Sequence, residues 1–384
     1  MTLVGDADVG TVASLRIPLS PSASAMVWLA PDRPHEKAAF VSVTLEPLEV
    51  LVEIELATIC GSDVHTARGA RSAPAPLVLG HEQLGRVVAL GSGTPATVDG
   101  TPLVIGDRVV WSIAASCGEC DRCLSGLAQK CRSLRKYGHE KVTTAWALSG
   151  GFATHMHLLA GTPIVRVPET IPAEVLAPVT CGTATARAAL EAASRLTRLD
   201  GAAVLISGAG LIGLTATAMA VDRGARVVVA DPDPGRRALA RRFGATASYD
   251  PAADPAGIGS LLADSGIPDG FDVVVEASGA RAAVVGAFTS AAVGGVIILV
   301  GSVFPTEPVP IDPEQIVRRL LTVRGVHNYT ADHLTAAVDY IAQRWTSWPF
   351  GELVGETVSL DQLDDGIRRS GGGGAVRVAV DPRR

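Results

Sequence analysis

The sequence predicts an α/β chain in two unequal parts: a β-rich first part and a doubly wound parallel sheet, with the C-terminal tail returning to the first part. Three observations predict it. Before Pro178 the chain is divided into short runs between glycine turns, such as "VLVEIELATI" (50–59), "GRVVALG" and "GDRVVW", which is how a Greek-key or barrel core reads. After Pro178 come "GAAVLISGAG", "GARVVVAD", "GFDVVVEASG" and "GGVIILVGS", each opened by glycine and separated by helical sequence. Continuous apolar runs of this kind are buried parallel strands, and alternating β and α implies right-handed crossovers. Finally, the tail closes on a strand-like "AVRVAV".

Taken in order, residues 1–22 are unpatterned and are expected to form a loose arm. From Met26 to about Leu56 the pattern is strand-like, with Val50, Val52, Ile54 and Leu56 alternating against Leu51, Glu53 and Glu55. "GGFATHMHLLAGTPIVRVP" continues the β style, and "TCGTATARAALEAASRL" is an alanine-rich helix. The tail predicts a helix over 331–344, a short strand, a helix "LDQLDDGIRRS", a turn at Gly371–Gly374 and the closing strand. The division expected is 1–182 with a lobe at 113–140, then 183–326, then 327–384.

The 384 residues allow two or three domains. Hydrophobic residues make up 47% and the mean hydropathy is +0.30, so the chain buries a large core. A net charge of −6 argues against a nucleic-acid partner. No apolar run reaches the length of a membrane span. The start has acids before any base and no long apolar segment, so a cytoplasmic protein with reduced thiols is expected.

In that setting clustered cysteines point to metal or catalysis. Four of the six fall in "CGECDRCLSGLAQKC", as Cys117, Cys120, Cys123 and Cys131. The spacing C-x2-C-x2-C-x7-C suits a closed, structural zinc. A ferredoxin-type iron–sulfur run would have a shorter last gap followed by proline, whereas Arg132 follows here. The other two cysteines are Cys60 in "CGSDVH" and Cys181 in "TCGTAT"; His81 lies between them in "GHE". Two sulfurs and one imidazole are the ligand set of a catalytic zinc with one open position. Glu82 would be a neighbouring carboxylate or an occasional ligand. Ser62 and His65 offer a hydroxyl and an imidazole as a proton route.

"VLISGAGLIG" carries Gly208-x-Gly210-x-x-Gly213 between a strand and a helix, the context a dinucleotide fingerprint requires. The pyrophosphate is expected near Gly210, Leu211 and Ile212. Asp231 ends the next strand, where an acid binds ribose hydroxyls and repels a 2′-phosphate, so NAD is favoured. Arg236 and Arg237 keep NADP open.

These pieces together resemble the zinc-dependent medium-chain alcohol dehydrogenases, from about residue 24 to 382. The resemblance implies a GroES-like β domain interrupted by a Rossmann domain, two zinc ions per chain and NAD. It implies that Cys60, His81 and Cys181 bind the catalytic zinc, that Ser62 and His65 relay the proton, and that Thr185 lies beside the nicotinamide. Arg377 matches the family's arginine on the cofactor phosphates, and Gly61 stands where some members carry another. Reversible hydride transfer between an alcohol and the nicotinamide is implied. So is a homodimer or homotetramer joined through the edge of the Rossmann sheet, a role for which "GGVIILVGS" is apolar enough.

Arg68, Arg71, Arg132, Arg135 and Lys136 are expected to border the cleft, and arginine forks suit phosphonate or carboxylate groups. By resemblance, Arg71 is near the mouth of the substrate pocket. The wording "CRSLRKYGHE" with "RRLLTVRGVHNYTADHL" is also similar to a subgroup labelled phosphonate-catabolism-associated alcohol dehydrogenases. The alternative is an apolar secondary or cyclic alcohol, with Ile113 and Trp111 lining the pocket. Rivals are a non-catalytic NAD- and zinc-binding redox sensor, and a zinc-free quinone or enone reductase, which would lack Cys60, His81 and Cys181.

Overall fold

In the computed structural model, which describes residues 13–253, 267, 269–370 and 374–384, the chain begins with a long hairpin. Strands β1 (Leu15–Trp28) and β2 (Glu36–Leu45) pair antiparallel, with a register break between Pro18 and Ala23. This corrects the expectation of a loose arm from Leu15 onward. Ala23, Ala25 and Val27 alternate into a buried cluster with Leu45 and Leu51, and that burial holds the strand down. The rest of the expected arm, residues 1–12, lies outside the described residues.

Next come β3 (Val50–Thr58), α1 (Gly61–Ala67), β4 (Leu77–Val78), β5 (Glu82–Leu90) and β6 (Arg108–Trp111). The ribbon strands β7 (Ala114–Ala115) and β8 (Arg135–Lys136) flank the cysteine lobe and its short helix α2 (Asp121–Leu124). Strands β9 (His155–Leu158) and β10 (Ile164–Arg166) and helix α3 (Ala173–Leu176) complete the first part. The predicted alternation of β3 gives way to near-continuous burial, interrupted at Glu53 and Glu55. Leu51 is enclosed because the β1–β2 hairpin covers the second face.

The second part runs α4 (Gly182–Ser194), β11 (Ala203–Ser207), α5 (Leu211–Val221), β12 (Arg226–Ala230), α6 (Pro234–Arg242) and β13 (Ala247–Tyr249). It continues with β14 (Phe271–Glu276), α7 (Arg281–Ser290), β15 (Ala291–Leu299), α8 (Pro313–Arg318) and β16 (Thr322–Gly325). The six strands lie in the order β13–β12–β11–β14–β15–β16, all parallel. Every residue of β11 is buried, as continuous apolar runs require. The strand order reverses at β11/β14, which puts the ligand crevice at the carboxyl ends of those strands. One expectation is corrected here: "GGVIILVGS" is not an edge. β15 has β14 on one side and β16 on the other, and its apolar character reflects that enclosure.

In the tail, α9 (Ala331–Arg344) buries Leu334, Ala337, Val338 and Ile341, an i, i+3, i+4, i+7 stripe, against the core that α4 shares. Strand β17 (Val354–Ser359), helix α10 (Leu363–Ser370) and strand β18 (Arg377–Asp381) then return to the β domain. β18 pairs antiparallel with β3, Ala379 against Thr58. The β-domain sheet thus runs β10–β6–β5–β3–β18–β17, with β9 also on β3. Residues 371–373 of the expected glycine turn lie outside the described residues. No helix among the described residues is long and apolar enough to cross a membrane.

Candidate active site and zinc centres

Three elements that meet at the junction of the two parts each end on a soft donor. Cys60 is the N-cap of α1, just beyond β3. His81 directly precedes β5, and Cys181 is the N-cap of α4. Their ligand atoms lie within 4.8 Å of one another, although the residues are far apart in sequence.

Asp63, which the sequence reading did not single out, organises this cluster. It is fully buried. Its Oδ2 accepts from the Cys60 amide at 2.9 Å, and its Oδ1 accepts from the Gly80 amide at 3.2 Å. The same Oδ1 lies 3.4 Å from His81 Nδ1, an ion-pair contact that leaves Nε2 as the free ring nitrogen. The available signal was its position: an acid three residues after a helix N-cap closes a capping box.

Glu82 is also fully buried, but both its oxygens are occupied. Arg377 grips it with Nε and Nη2 at 2.7 and 2.8 Å, and Thr58 Oγ1 donates at 2.7 Å. Glu82 therefore neighbours the donor set and is not one of the clustered ligands. Arg377, expected on the cofactor phosphates, is here committed to Glu82; its Nη1 donates to the Val376 carbonyl and its Nη2 is 3.8 Å from Cys60 Sγ. A buried carboxylate needs such a partner.

The three donors are electrostatically interdependent. The hydrogen bond from Cys181 holds the Cys60 thiol well below its usual range, against the effect of burial. The same bond, with burial, pushes Cys181 well up. Burial opposes charge on His81, yet Asp63 and Cys60 push its pKa up to about 10. Burial likewise raises Glu82 to about 7, with Arg377 opposing. Sulfur, sulfur and nitrogen converging on one point, with a carboxylate behind the imidazole, are the donors and support that zinc takes.

Ser62 Oγ is 3.3 Å from His81 Nε2. His65 shares its face of α1, three residues on, but no hydrogen bond joins the two among the described residues. His65 is exposed, and its ring packs 4.5 Å from Phe304 of the second part. Thr185 lies one turn along α4 from Cys181 and is buried. Two further residues escaped the sequence reading. Tyr329 accepts from the Ile113 amide and donates to the Thr180 carbonyl, tying the parts together. The His139 ring lies 4.8 Å from the His81 ring. It is fixed there because Gly138, at φ +72°, packs so close to Gly80 that a Cβ would sit 2.5 Å from the Gly80 carbonyl.

In the lobe, Cys117, Cys120, Cys123 and Cys131 bring their sulfurs together at 3.4 to 4.0 Å. A tetrahedron with zinc–sulfur bonds of about 2.3 Å has edges of about 3.8 Å. Disulfides would need about 2 Å. All six thiols are free.

The glycine loop joins β11 to α5, with Gly210 as the N-cap and Leu211 and Ile212 opening the helix. A Cβ on Gly213 would lie 1.8 Å from the Gly208 carbonyl, so the helix can approach the strand only as glycine. Asp231 accepts from the Ala209 and Asp233 amides at 2.7 and 2.8 Å. Arg236 reaches back over the loop to the Ala209 carbonyl at 3.4 Å, while Arg237 is held on the Asp231 and Pro232 carbonyls and beside Asp250.

Ile113 is buried, and its neighbour Ala114 pairs with Lys136 across the β7–β8 ribbon. Trp111 does not line a cleft. It is fully enclosed in the β-domain core with Tyr137 and Phe152. A cavity of about 790 Å³ opens between the lobe, α4 and the carboxyl ends of β15 and β16, with Lys130, Phe304, His327 and Asn328 in its wall; none of the three clustered donors lines it.

Comparison with known proteins agrees with this architecture. Residues 46–169 match the alcohol dehydrogenase GroES-like domain, and residues 212–343 match the zinc-binding dehydrogenase family. The chain is 32% identical over 284 residues to an L-threonine 3-dehydrogenase of Coxiella burnetii, covering 73% of this chain and 76% of that protein. It is 27% identical to a 5-exo-hydroxycamphor dehydrogenase of Pseudomonas putida, covering 87% and 92%. Among solved structures, an alcohol dehydrogenase from Thermotoga maritima superposes with a TM-score of 0.87 at 28% identity, covering 94% and 99%. A zinc-binding dehydrogenase from Sinorhizobium meliloti, bound to NADP, gives 0.81 at 27% identity, covering 94% and 99%. With its GroES-like β domain and its Rossmann sheet, this chain belongs to the zinc-dependent medium-chain alcohol dehydrogenase family.

Proposed function

We propose that the protein is a zinc-dependent alcohol dehydrogenase that works with NAD and carries two zinc ions per chain. The observation that carries this reading is the convergence of Cys60, His81 and Cys181 at the mouth of α4, within 4.8 Å. Cys60 and Cys181 would hold the catalytic zinc through Sγ, and His81 through Nε2. A zinc ion there supplies Lewis acidity that lowers the pKa of an alcohol hydroxyl. Bound NAD supplies the hydride acceptor. Asp63 keeps the His81 ring turned so that Nε2 faces the other donors. The hydroxyl proton would pass to Ser62 Oγ, next to His81 Nε2; His65, exposed one turn on and not hydrogen-bonded to Ser62, would be the group that releases it to solvent. Phe304, packed on His65, brings the second part against this exit. Thr185, on the same face of α4 as Cys181, positions the nicotinamide.

NAD is favoured over NADP because Asp231 directly follows β12, the sequence position at which an acid binds ribose hydroxyls and repels a 2′-phosphate. Gly208, Gly210, Leu211, Ile212 and Gly213 would seat the pyrophosphate, with Arg236 above the loop. The closed four-cysteine site does no chemistry and fixes the lobe. The expected assembly is a homodimer or homotetramer in the cytoplasm. A relative's threonine is a secondary alcohol bearing a carboxylate, and another relative's hydroxycamphor is an apolar cyclic alcohol, so both substrate classes have precedent among similar proteins.

Elemental analysis together with NADH absorbance over an alcohol panel tests this. The expected result is two zinc per chain and turnover that chelation abolishes, with NAD used more efficiently than NADP. Bound zinc and NAD without turnover of any alcohol would favour the redox-sensor reading.

A further inference from the structure

The basic residues expected around the cleft do not line the cavity between the lobe and the Rossmann sheet. Arg68 reaches the Arg368 carbonyl on α10, Arg132 is forked on Asp121, and Arg135 is paired with Glu140. Arg71 and Lys136 are not in the cavity wall either, and Ile113 lines only a smaller neighbouring hollow. The wall carries a different polar set. Lys130 ends the lobe's 3-10 turn Ala128–Lys130, and its Nζ donates to Nδ1 of His327, just after β16. Both residues line the cavity. With Nδ1 accepting, the imidazole proton lies on Nε2, and the ammonium keeps two further N–H groups. Gln129, Ser302 and Asn328 share this wall, and no side-chain hydrogen bond engages them among the described residues. The Gln129 Oε1 is enclosed without a partner.

The cavity follows the face of α4 that starts at the zinc-ligand cluster. Cys181 is the N-cap, and Thr185, Ala188 and Ala192 follow at i+4, i+7 and i+11, which places them on one helix face. Ala188 and Ala192 belong to the cavity wall. Seven residues of helix put Ala188 about 10 Å along the axis from Cys181. Other walls lead back to the same centre. The Phe304 ring packs 4.5 Å from the His65 ring. Asn328 adjoins Tyr329, whose hydroxyl donates to the Thr180 carbonyl beside Cys181. The Val300 amide donates to the Glu276 carbonyl at 2.8 Å, at the end of β14 where the cofactor crevice lies.

We propose that Lys130 and His327 form a recognition pair that donates to a hydroxyl oxygen of a neutral, polyhydroxylated alcohol substrate, further along its chain than the carbinol presented to the Cys60–His81–Cys181 centre. The proposal rests on the dehydrogenase reading and names its substrate class. A hydroxyl both accepts and donates. Its oxygen answers Lys130 or His327, and its proton answers the carboxamide oxygens of Gln129 and Asn328 or the Ser302 hydroxyl. An apolar alcohol answers neither set, and a carboxylate, which only accepts, answers the first alone. Because Lys130 comes from the lobe and His327 from the Rossmann side, the pair reads the substrate only when the two parts are together.

The test uses the full-length zinc-loaded protein. Turnover with NAD compares xylitol and sorbitol with 2-butanol, cyclohexanol and 3-hydroxybutyrate, and calorimetry with NADH present measures xylitol binding apart from turnover. The polyols are expected to have the highest kcat/KM. In Lys130→Met and in His327→Leu, the ratio of polyol to 2-butanol kcat/KM and the xylitol affinity are each expected to fall about 10- to 100-fold. Lys130→Arg and His327→Gln, which keep a donor, are expected to be intermediate. Zinc content and circular dichroism identify any variant that misfolds. Higher kcat/KM for 2-butanol, cyclohexanol or 3-hydroxybutyrate than for either polyol overturns the proposal. So does an equal loss for polyol and 2-butanol in the variants, which is what a purely structural pair would give. Xylitol binding that both substitutions abolish, with no turnover of any alcohol, retains the recognition pair and removes the dehydrogenase reading.

Discussion

Asp63 reaches the Cys60 amide, the Gly80 amide beside His81 and the His81 imidazole. An isosteric Asp63→Asn keeps an oxygen for only one of the two amides, sets its NH2 against the other and loses the negative charge behind His81. Carboxylates in this position raise ligand basicity, and removing them costs about 10- to 100-fold in metal affinity. That loss is expected at the catalytic site alone, measured by chelator competition, with the four-cysteine site unchanged. Equal loss at both sites would indicate a general folding defect. Soft donors are scarce in this chain, so Cys60, His81 and Cys181 could be read directly from six cysteines and one well-placed histidine. Asp63 could not, because an acid near a helix start is ordinary and its role depends on His81 arriving from another strand. His139 was hidden for the same reason.

At the scale of elements, the docking of α9 shows how one multiply paired surface charge anchors a helix. Asp222, at the end of α5, accepts from Tyr340 Oη at 2.8 Å, Arg344 Nε at 3.0 Å and Trp348 Nε1 at 3.1 Å. Burial opposes the charge, but Arg344, Trp348 and Tyr340 prevail and hold the carboxyl below its ordinary 3.8. A folded-state pKa below the unfolded one gives a stabilisation that is complete above the unfolded value and is lost as pH falls through the folded one. Asp222→Asn is expected to destabilise by about 1 kcal/mol at neutral pH, since Arg344 is 40% exposed and solvent screens the pair. The difference from wild type in thermal melting should shrink as pH falls below about 4. A constant difference would assign the effect to packing. The helix itself was legible over 331–344 because its apolar stripe follows the helical period. Its anchor was not, because Asp222 lies more than a hundred residues upstream.

Across the whole molecule, the Rossmann sheet ends on β16, all four residues of which are exposed. Val293, Val317 and Leu320 nearby are about 70% exposed, an apolar rim beside an edge strand of the kind that association surfaces use. Val323→Lys is expected to shift the protein toward monomer in analytical ultracentrifugation; an unchanged mass would place the interface elsewhere. The apolar run "GGVIILVGS" pointed one strand too far inward, since sequence shows that a strand is buried but not which strand stands at the edge. What the sequence determined by itself was the two-part α/β plan, the glycine loop and the two donor sets. Strand period, turn chemistry and the preference of zinc for sulfur and imidazole each leave their mark in local residue types and spacings. What only the tertiary structure decided was which charges are free. Arg377 met Glu82 and Arg132 met Asp121, whereas the Arg71 and Lys136 side chains met no carboxylate among the described residues. Electrostatic pairing is a matter of distance in space, and distance in space between residues far apart in the chain is set by the fold.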